Sequence, residues 1–164
     1  MTTIPTYTMP PVQFTRLHPD VPQPVRAHPT DAGVDLVAWD NERTTPGSTG
    51  EWVGSTIPVG TSAMFGTGVA AAIPEGYVGF LFVRSSLGVK HNVTLANGTG
   101  VIDSDYRGEI KVCLRANGPF GAYIKRGQRI VQMVTVPVNL TPWVEVEHLN
   151  NTERGEGGYG STGS

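Results

Sequence analysis

Pro74-Glu75-Gly76-Tyr77-Val78-Gly79-Phe80-Leu81-Phe82-Val83-Arg84 reads as a tight turn followed by a strand. Pro and Gly suit the turn. The residues from 77 to 84 are rich in aromatic and β-branched types, which fit a pleated surface. The pattern repeats outward in both directions. Upstream, 57–73 holds two strand candidates broken at Gly60, Gly66 and Gly68, and 33–39 is a short strand. Residues 12–17 alternate apolar and polar, as a half-buried strand does. Residues 18–30 contain four prolines and form a loop. Pro5, Pro10 and Pro11 make 1–11 an extended arm. The polar stretch 40–56, with Pro46, Gly47, Gly50 and Gly54, reads as an exposed loop or a loose hairpin.

Downstream, 85–90 suits one helical turn. Apolar runs at 92–96 and 99–102 flank Asn97-Gly98, the strongest short hairpin signal, since both turn residues must tolerate positive φ. Further strands are expected at 108–115, 129–138 and 143–149. No amphipathic helix of useful length and no internal repeat is present. The result is an all-β chain of roughly nine or ten short strands, a barrel or jelly-roll-like fold. Residues 1–149 make one β domain with its N-terminal arm, and 150–164 make a Gly-rich tail expected to be mobile without a ligand.

Composition agrees. Gly 21 and Pro 13 in 164 residues point to many turns, and a hydrophobic fraction of 38% suffices for a core. The net charge of −2 lacks the clustered positive charge that a stable grip on nucleic acid needs. A polyphosphate remains possible, because a few arginines and backbone N–H groups bind one. A single cysteine, Cys113, excludes an intrachain disulfide and fits a reducing cytoplasm. His18, His28, His91 and His148 share no metal-ligand spacing. No apolar stretch is long enough to span a membrane, and the N-terminus lacks the layout of a signal peptide.

Four stretches are polar or Gly-rich beyond what strand-building requires. Arg84-Ser85-Ser86-Leu87 is a plausible phosphate cradle, or a strand end capped by serines. Gly100-Val101-Ile102-Asp103-Ser104-Asp105-Tyr106-Arg107-Gly108-Glu109 offers Asp103 as a rigid general base. It also reads as a solvated turn, and Asp105 and Glu109 read as ordinary surface charges. Arg154-Gly155-Glu156-Gly157-Gly158-Tyr159-Gly160-Ser161-Thr162-Gly163 can wrap a phosphate chain, with Tyr159 stacking on a base, or be a disordered linker. Thr30-Asp31-Ala32-Gly33-Val34-Asp35-Leu36 can place two acids near magnesium, or be a loop-to-strand junction. Gly127-Gln128-Arg129 reads as a turn and strand start.

In this order, the stretches resemble the five motifs of the trimeric dUTPase family: Asp31-Ala-Gly-Val-Asp35-Leu, Arg84-Ser-Ser-Leu, Gly100-Val-Ile-Asp103-Ser-Asp-Tyr106-Arg-Gly, Gly127-Gln-Arg-Ile-Val-Gln132 and Arg154-Gly-Glu-Gly-Gly-Tyr159-Gly-Ser-Thr-Gly. The third is the most specific. The resemblance implies a β-clip, a distorted jelly roll, in a homotrimer with active sites between subunits. It implies hydrolysis of dUTP to dUMP and pyrophosphate, with Asp103 deprotonating the water that attacks the α-phosphorus. Mg2+ would be held mainly by the triphosphate, with Asp35 acting through water. Arg84, Ser85 and Ser86 would hold phosphates, Gln132 would act through metal-bound water or phosphate contacts, and Arg154, Gly160, Ser161 and Thr162 would hold the γ end beneath a closing tail. Backbone groups of Asn97, Val101 and Lys111, beside Ile102, would match the uracil edge. Tyr106 would reject a ribose hydroxyl, and Tyr159 would stack on the base. Two departures stand out: Ser86 where the family usually has Gly, and Tyr159 where Phe is common.

The related dCTP deaminases share the fold and carry Arg-Ser-Ser-Leu, but their catalytic Glu aligns without gaps on Cys113. A thiol cannot shuttle that proton. Some relatives are thought to regulate other proteins by contact, and 40–56 is the candidate surface for such a role.

Overall fold

The run from 77 onward does form a strand, and it lies inside a sheet with partners on both edges. The computed structural model describes residues 10–41 and 52–158. Its strands are β1 (Gln13–Arg16), β2 (Val34–Val37), β3 (Asp40–Asn41), β4 (Gly54–Ile57), β5 (Ser62–Ala72), β6 (Tyr77–Val83), β7 (Val93–Leu95), β8 (Gly100–Ile102), β9 (Glu109–Ala116), β10 (Ala122–Lys125) and β11 (Arg129–Pro137), with one helix, α1 (Ser85–His91). One sheet runs β1-β5-β9-β7 with β3 beside β5; a second runs β2-β11-β6-β8; β4 and β10 form a third. All of these pairings are antiparallel.

Period-2 alternation decides which side chains enter the core. In β9, Ile110, Val112, Leu114 and Ala116 are buried, while Lys111 and Arg115 between them are exposed. Phe65 of β5, Leu81 of β6, Ile130 of β11 and Ile57 and Ile124 of the small sheet join them in one cluster. Such burial stabilises by about 25 cal/mol for each Å² of apolar surface removed from water. The fold class expected from the sequence, an all-β barrel or jelly-roll-like fold, is borne out.

Several local expectations do not hold. Among the described residues, no strand pairs with its immediate neighbour in sequence. Asn97-Gly98 therefore does not close a hairpin: β7 pairs with β9, whereas β8 pairs with β6 in the other sheet. The segment turns a corner instead, with Gly98 at φ 76 and its N–H donating to Leu95 O at 3.1 Å. β5 also runs unbroken through Gly66 and Gly68. Its register with β9 jumps between Gly66 and Ala70, so these glycines mark a bulge rather than a strand end. Buried Thr67 satisfies itself there by donating to Ile110 O at 2.7 Å.

Part of the stretch read as loop supplies β3 and β4, and β10 was not anticipated. β4 and β10 are short and pair only with each other. The expected strand at 143–149 is absent: the segment is exposed throughout and makes no strand pairing among the described residues. Helix α1 is longer than the single turn expected. It buries Leu87 and ends at Asn92, whose left-handed φ of 50 lets its N–H donate to Leu87 O. The regulatory surface suggested for 40–56 falls largely outside the described residues.

Candidate active site

From β5 to β9 the chain alternates between the two large sheets. The connections of this stretch after β6 are α1, the Asn97-Gly98 corner and the 103–108 loop. Two of the five motifs and the Asn97-Gly98 turn thus sit on crossings between the sheets, where loops carry function without disturbing the core.

A polar cavity of about 240 Å³ is lined by Asp31, Gly33, Asp35, Arg84, Ser85 and Gln132, with Ala27 and Ala32. Its residues come from different parts of the chain because β11 pairs with both β2 and β6. Gln132 stands opposite Asp35 in register, so both side chains share a face. Gly33 leaves room for that glutamine: a Cβ there would lie 2.5 Å from Gln132 Oε1. Arg84 is the N-cap of α1, and Ser85 opens the helix.

The charges are tightly arranged. Arg84 Nη1 donates to Asp35 Oδ2 in a close ion pair. Arg129 Nη1 donates to the same oxygen at 3.0 Å. The Asp35 side chain is only 11% exposed, whereas Arg84 and Arg129 are 24% and 52% exposed. Burial, and then repulsion from Arg129, lower the proton affinity of Arg84 below its ordinary value. A guanidinium nevertheless stays charged at physiological pH. Two guanidinium groups converge on one carboxylate, and with the Ser85 hydroxyl and the Gln132 amide they supply donors suited to an anion that accepts several hydrogen bonds, although Asp31 also lines the cavity.

A second cavity of about 450 Å³ lies at the corner between β7, β8 and β9, lined by Met64, Leu81, Leu95, Asn97, Gly100, Lys111 and Cys113 among others. Gly100 packs tightly there, since a Cβ would stand 2.9 Å from that of Leu81. Apolar walls with a few polar groups suit a small flat heterocycle.

The residues singled out in sequence thus divide. Asp35, Arg84, Ser85 and Gln132 meet at the first cavity, and Asn97 and Lys111 at the second. Ser86 is exposed on the first turn of α1, Val101 is exposed on β8, and Ile102 is buried. Asp103 is exposed just beyond β8. It lines neither cavity. Tyr106 donates through its N–H to Asp103 O at 3.2 Å and through its hydroxyl to Glu109 O at 2.9 Å. Arg154 turns back on its own segment, donating to Gly157 O. Tyr159, Gly160, Ser161 and Thr162 lie outside the described residues.

Arg129 was missed, read only as a strand start. Strict alternation puts positions 129 and 132 on opposite faces, but the β11–β2 register shifts between Arg129 and Val131 and brings both to Asp35. An Arg three residues before a polar strand residue was the only signal. Met64 was also not anticipated. It stands opposite Cys113 in register and lines the same cavity.

One cavity thus suits a polyanion and the other a heterocycle, the two ends of a nucleotide. Residues 20–163 match the family model described as dUTPase. The deoxyuridine 5'-triphosphate nucleotidohydrolase of Rhodococcus erythropolis strain PR4 is 44% identical over 93% of this chain and 85% of its own. The dUTPase of Staphylococcus bacteriophage 80alpha, solved with dUPNHPP, superposes with a TM-score of 0.75 at 27% identity, over 95% of this chain and 100% of that one. A mutant dUTPase of the Staphylococcus aureus phage phi11, described with a structural Mg(II) ion, is 24% identical with a TM-score of 0.68, over 85% of this chain and 98% of that one. The chain belongs to the dUTPase family.

Proposed function

We propose that the protein hydrolyses dUTP to dUMP and pyrophosphate, as a homotrimer whose neighbouring subunits complete each site. The meeting of Arg84, Arg129, Ser85 and Gln132 around Asp35 carries the reading. It gathers the hydrogen-bond donors a triphosphate needs, in a chain of this family.

In this mechanism the Asp103 carboxylate accepts a proton from water as the water oxygen bonds to the α-phosphorus. The bond from that phosphorus to the bridging oxygen breaks, and pyrophosphate leaves with the electron pair. The protein's contribution is mainly position and charge stabilisation. Arg84 and Ser85 hold the phosphates, with Ser86 beside them and Gln132 opposite. Asn97, Val101 and Lys111 present backbone groups to the uracil edge, with Ile102 anchoring their strand. Tyr106 lies under the sugar. The segment from Arg154 through Tyr159, Gly160, Ser161 and Thr162 covers the γ end and the base.

The donor set fits Mg2+ carried by the substrate. Asp35 has Oδ2 committed to two guanidinium groups, and its proposed role toward the metal runs through water. When bound, Mg2+ offsets the triphosphate charge and keeps several of its waters.

Two observations support the trimer. Asp103 is exposed in the single chain, and a base that aims water needs a second wall. Segment 141–150 is also exposed, with Trp143 fully so. Its alternating apolar residues suit pairing with another subunit. The single reduced thiol fits work in the cytoplasm.

Mixing the protein with dUTP and Mg2+ should release pyrophosphate, whereas dCTP should release no ammonia. Intact dUTP, or deaminated dCTP, would overturn the reading. Cys113 stands half-buried on β9 where a deaminase would need its carboxylate. Light scattering should give three times the 17.5 kDa chain mass.

A further inference from the structure

Glu109 reads in sequence as an ordinary charge on a solvated turn, yet its side chain is half-buried and fixed. Oε1 accepts a hydrogen bond from Gly68 N–H at 2.7 Å. Gly68, at φ 68, sits in the β5 bulge, where the register with β9 is interrupted. Its N–H is met by this carboxylate, and its carbonyl accepts from Leu17 N–H at 2.8 Å. The approach depends on Gly66, where a Cβ would lie 2.5 Å from the same Glu109 oxygen. On its main-chain side, the Glu109 carbonyl accepts the Tyr106 hydroxyl at 2.9 Å. The Tyr106 ring folds over Gly108, where a Cβ would stand 2.5 Å from that hydroxyl. The Tyr106 N–H in turn closes the turn on Asp103 O at 3.2 Å. An unbroken chain of contacts links the bulge to Glu109, Tyr106 and Asp103.

We propose that Glu109 is a positioning residue: through Gly68 it anchors the start of β9, and so holds Tyr106 in its sugar-selecting pose and fixes the turn that carries Asp103. The inference rests on the roles given to Tyr106 and Asp103 under the proposed function. The 103–108 loop crosses from one sheet to the other, so its order depends on its two ends. The β8 end is a short strand, and the β9 end is the one the side chain secures. What the tether needs is an acceptor of the right reach, not a charge. Glutamine keeps the reach and loses the charge, whereas aspartate keeps the charge and falls short.

The test compares Glu109→Ala, Glu109→Asp, Glu109→Gln and Tyr106→Ala, each assayed with dUTP and with UTP in the presence of Mg2+. Glu109→Ala and Glu109→Asp should lower kcat on dUTP by about tenfold or more, since small misplacements of reacting groups are that costly. They should also narrow the dUTP-over-UTP ratio of kcat/KM, which a general loss of stability would not move. Glu109→Gln should keep both near the wild-type values. Exchange of the Gly68 amide, followed by NMR, should quicken in the Ala and Asp variants and not in the Gln variant. If the Ala variant fails to fold, the Asp and Gln pair carries the test. An Asp variant with unchanged selectivity, or a Gln variant as impaired as Asp, would overturn the tether. A Tyr106→Ala ratio equal to the wild type would instead overturn the role of Tyr106.

Discussion

Asp35 holds two arginines on one carboxylate oxygen, and this shapes the chemistry around it. Removing one partner of a partly buried charge cluster costs more than the same change on an open surface. Arg129 is the more exposed of the pair, so its loss should spare the fold and act on the ligand. Arg129→Ala should weaken dUTP binding by about 1.5–3 kcal/mol, the usual worth of a hydrogen bond to a charged group. Calorimetric titration with a non-hydrolysable dUTP analogue would read this directly, and unaltered affinity would remove Arg129 from the phosphate site. Asp103 differs in role: Arg129 is bonded to Asp35 of the first cavity, whereas Asp103 is proposed to act on the attacking water. Asp103→Asn should bind the analogue as the parent does while pyrophosphate release disappears. Turnover at the parental rate would show that another group accepts the proton.

At the scale of elements, the β5 bulge joins the core to the site. Thr67 is buried within it, and its hydroxyl both donates to Ile110 O and accepts from Val69 N–H. Thr67→Val keeps the shape but leaves these backbone groups without that partner. It should cost about 1–3 kcal/mol, visible as a lower urea midpoint. An unmoved midpoint would mean that the bulge finds other partners. The bulge and the β11 register shift act alike: each re-aims side chains that strict alternation would send elsewhere. For that reason Asp35 opposite Gln132 was legible as two polar positions in two motifs, while Arg129 beside them was not. Glu109 was likewise hidden, because its acceptor role depends on a bulge 41 residues away in the chain.

For the whole molecule, the arrangement of site residues decides how the enzyme must work. Asp35, Arg84, Ser85 and Gln132, proposed to face the phosphates, and Asn97 and Lys111, proposed to face the base, line separate cavities, and Asp103 and Arg154 lie outside both. Assembly with neighbouring subunits is the proposed way to bring these parts to one nucleotide. Removing residues 154–164 should then reduce turnover by orders of magnitude while light scattering still finds the assembled oligomer. A truncated protein of full activity would show that the tail does not close the site.

The all-β class, most of the longer strands and the five motifs lay open in the sequence, because alternation, turn chemistry and side-chain type are local properties. Topology did not. The described strands pair only with partners distant in the chain, so a corner at Asn97-Gly98 carries the same local signal as a hairpin. An alternating segment such as 143–149 becomes a strand only where another strand offers its edge. Tertiary structure alone decided which polar residues share a cavity, since bulges, register and crossings between sheets set distances that no local pattern encodes.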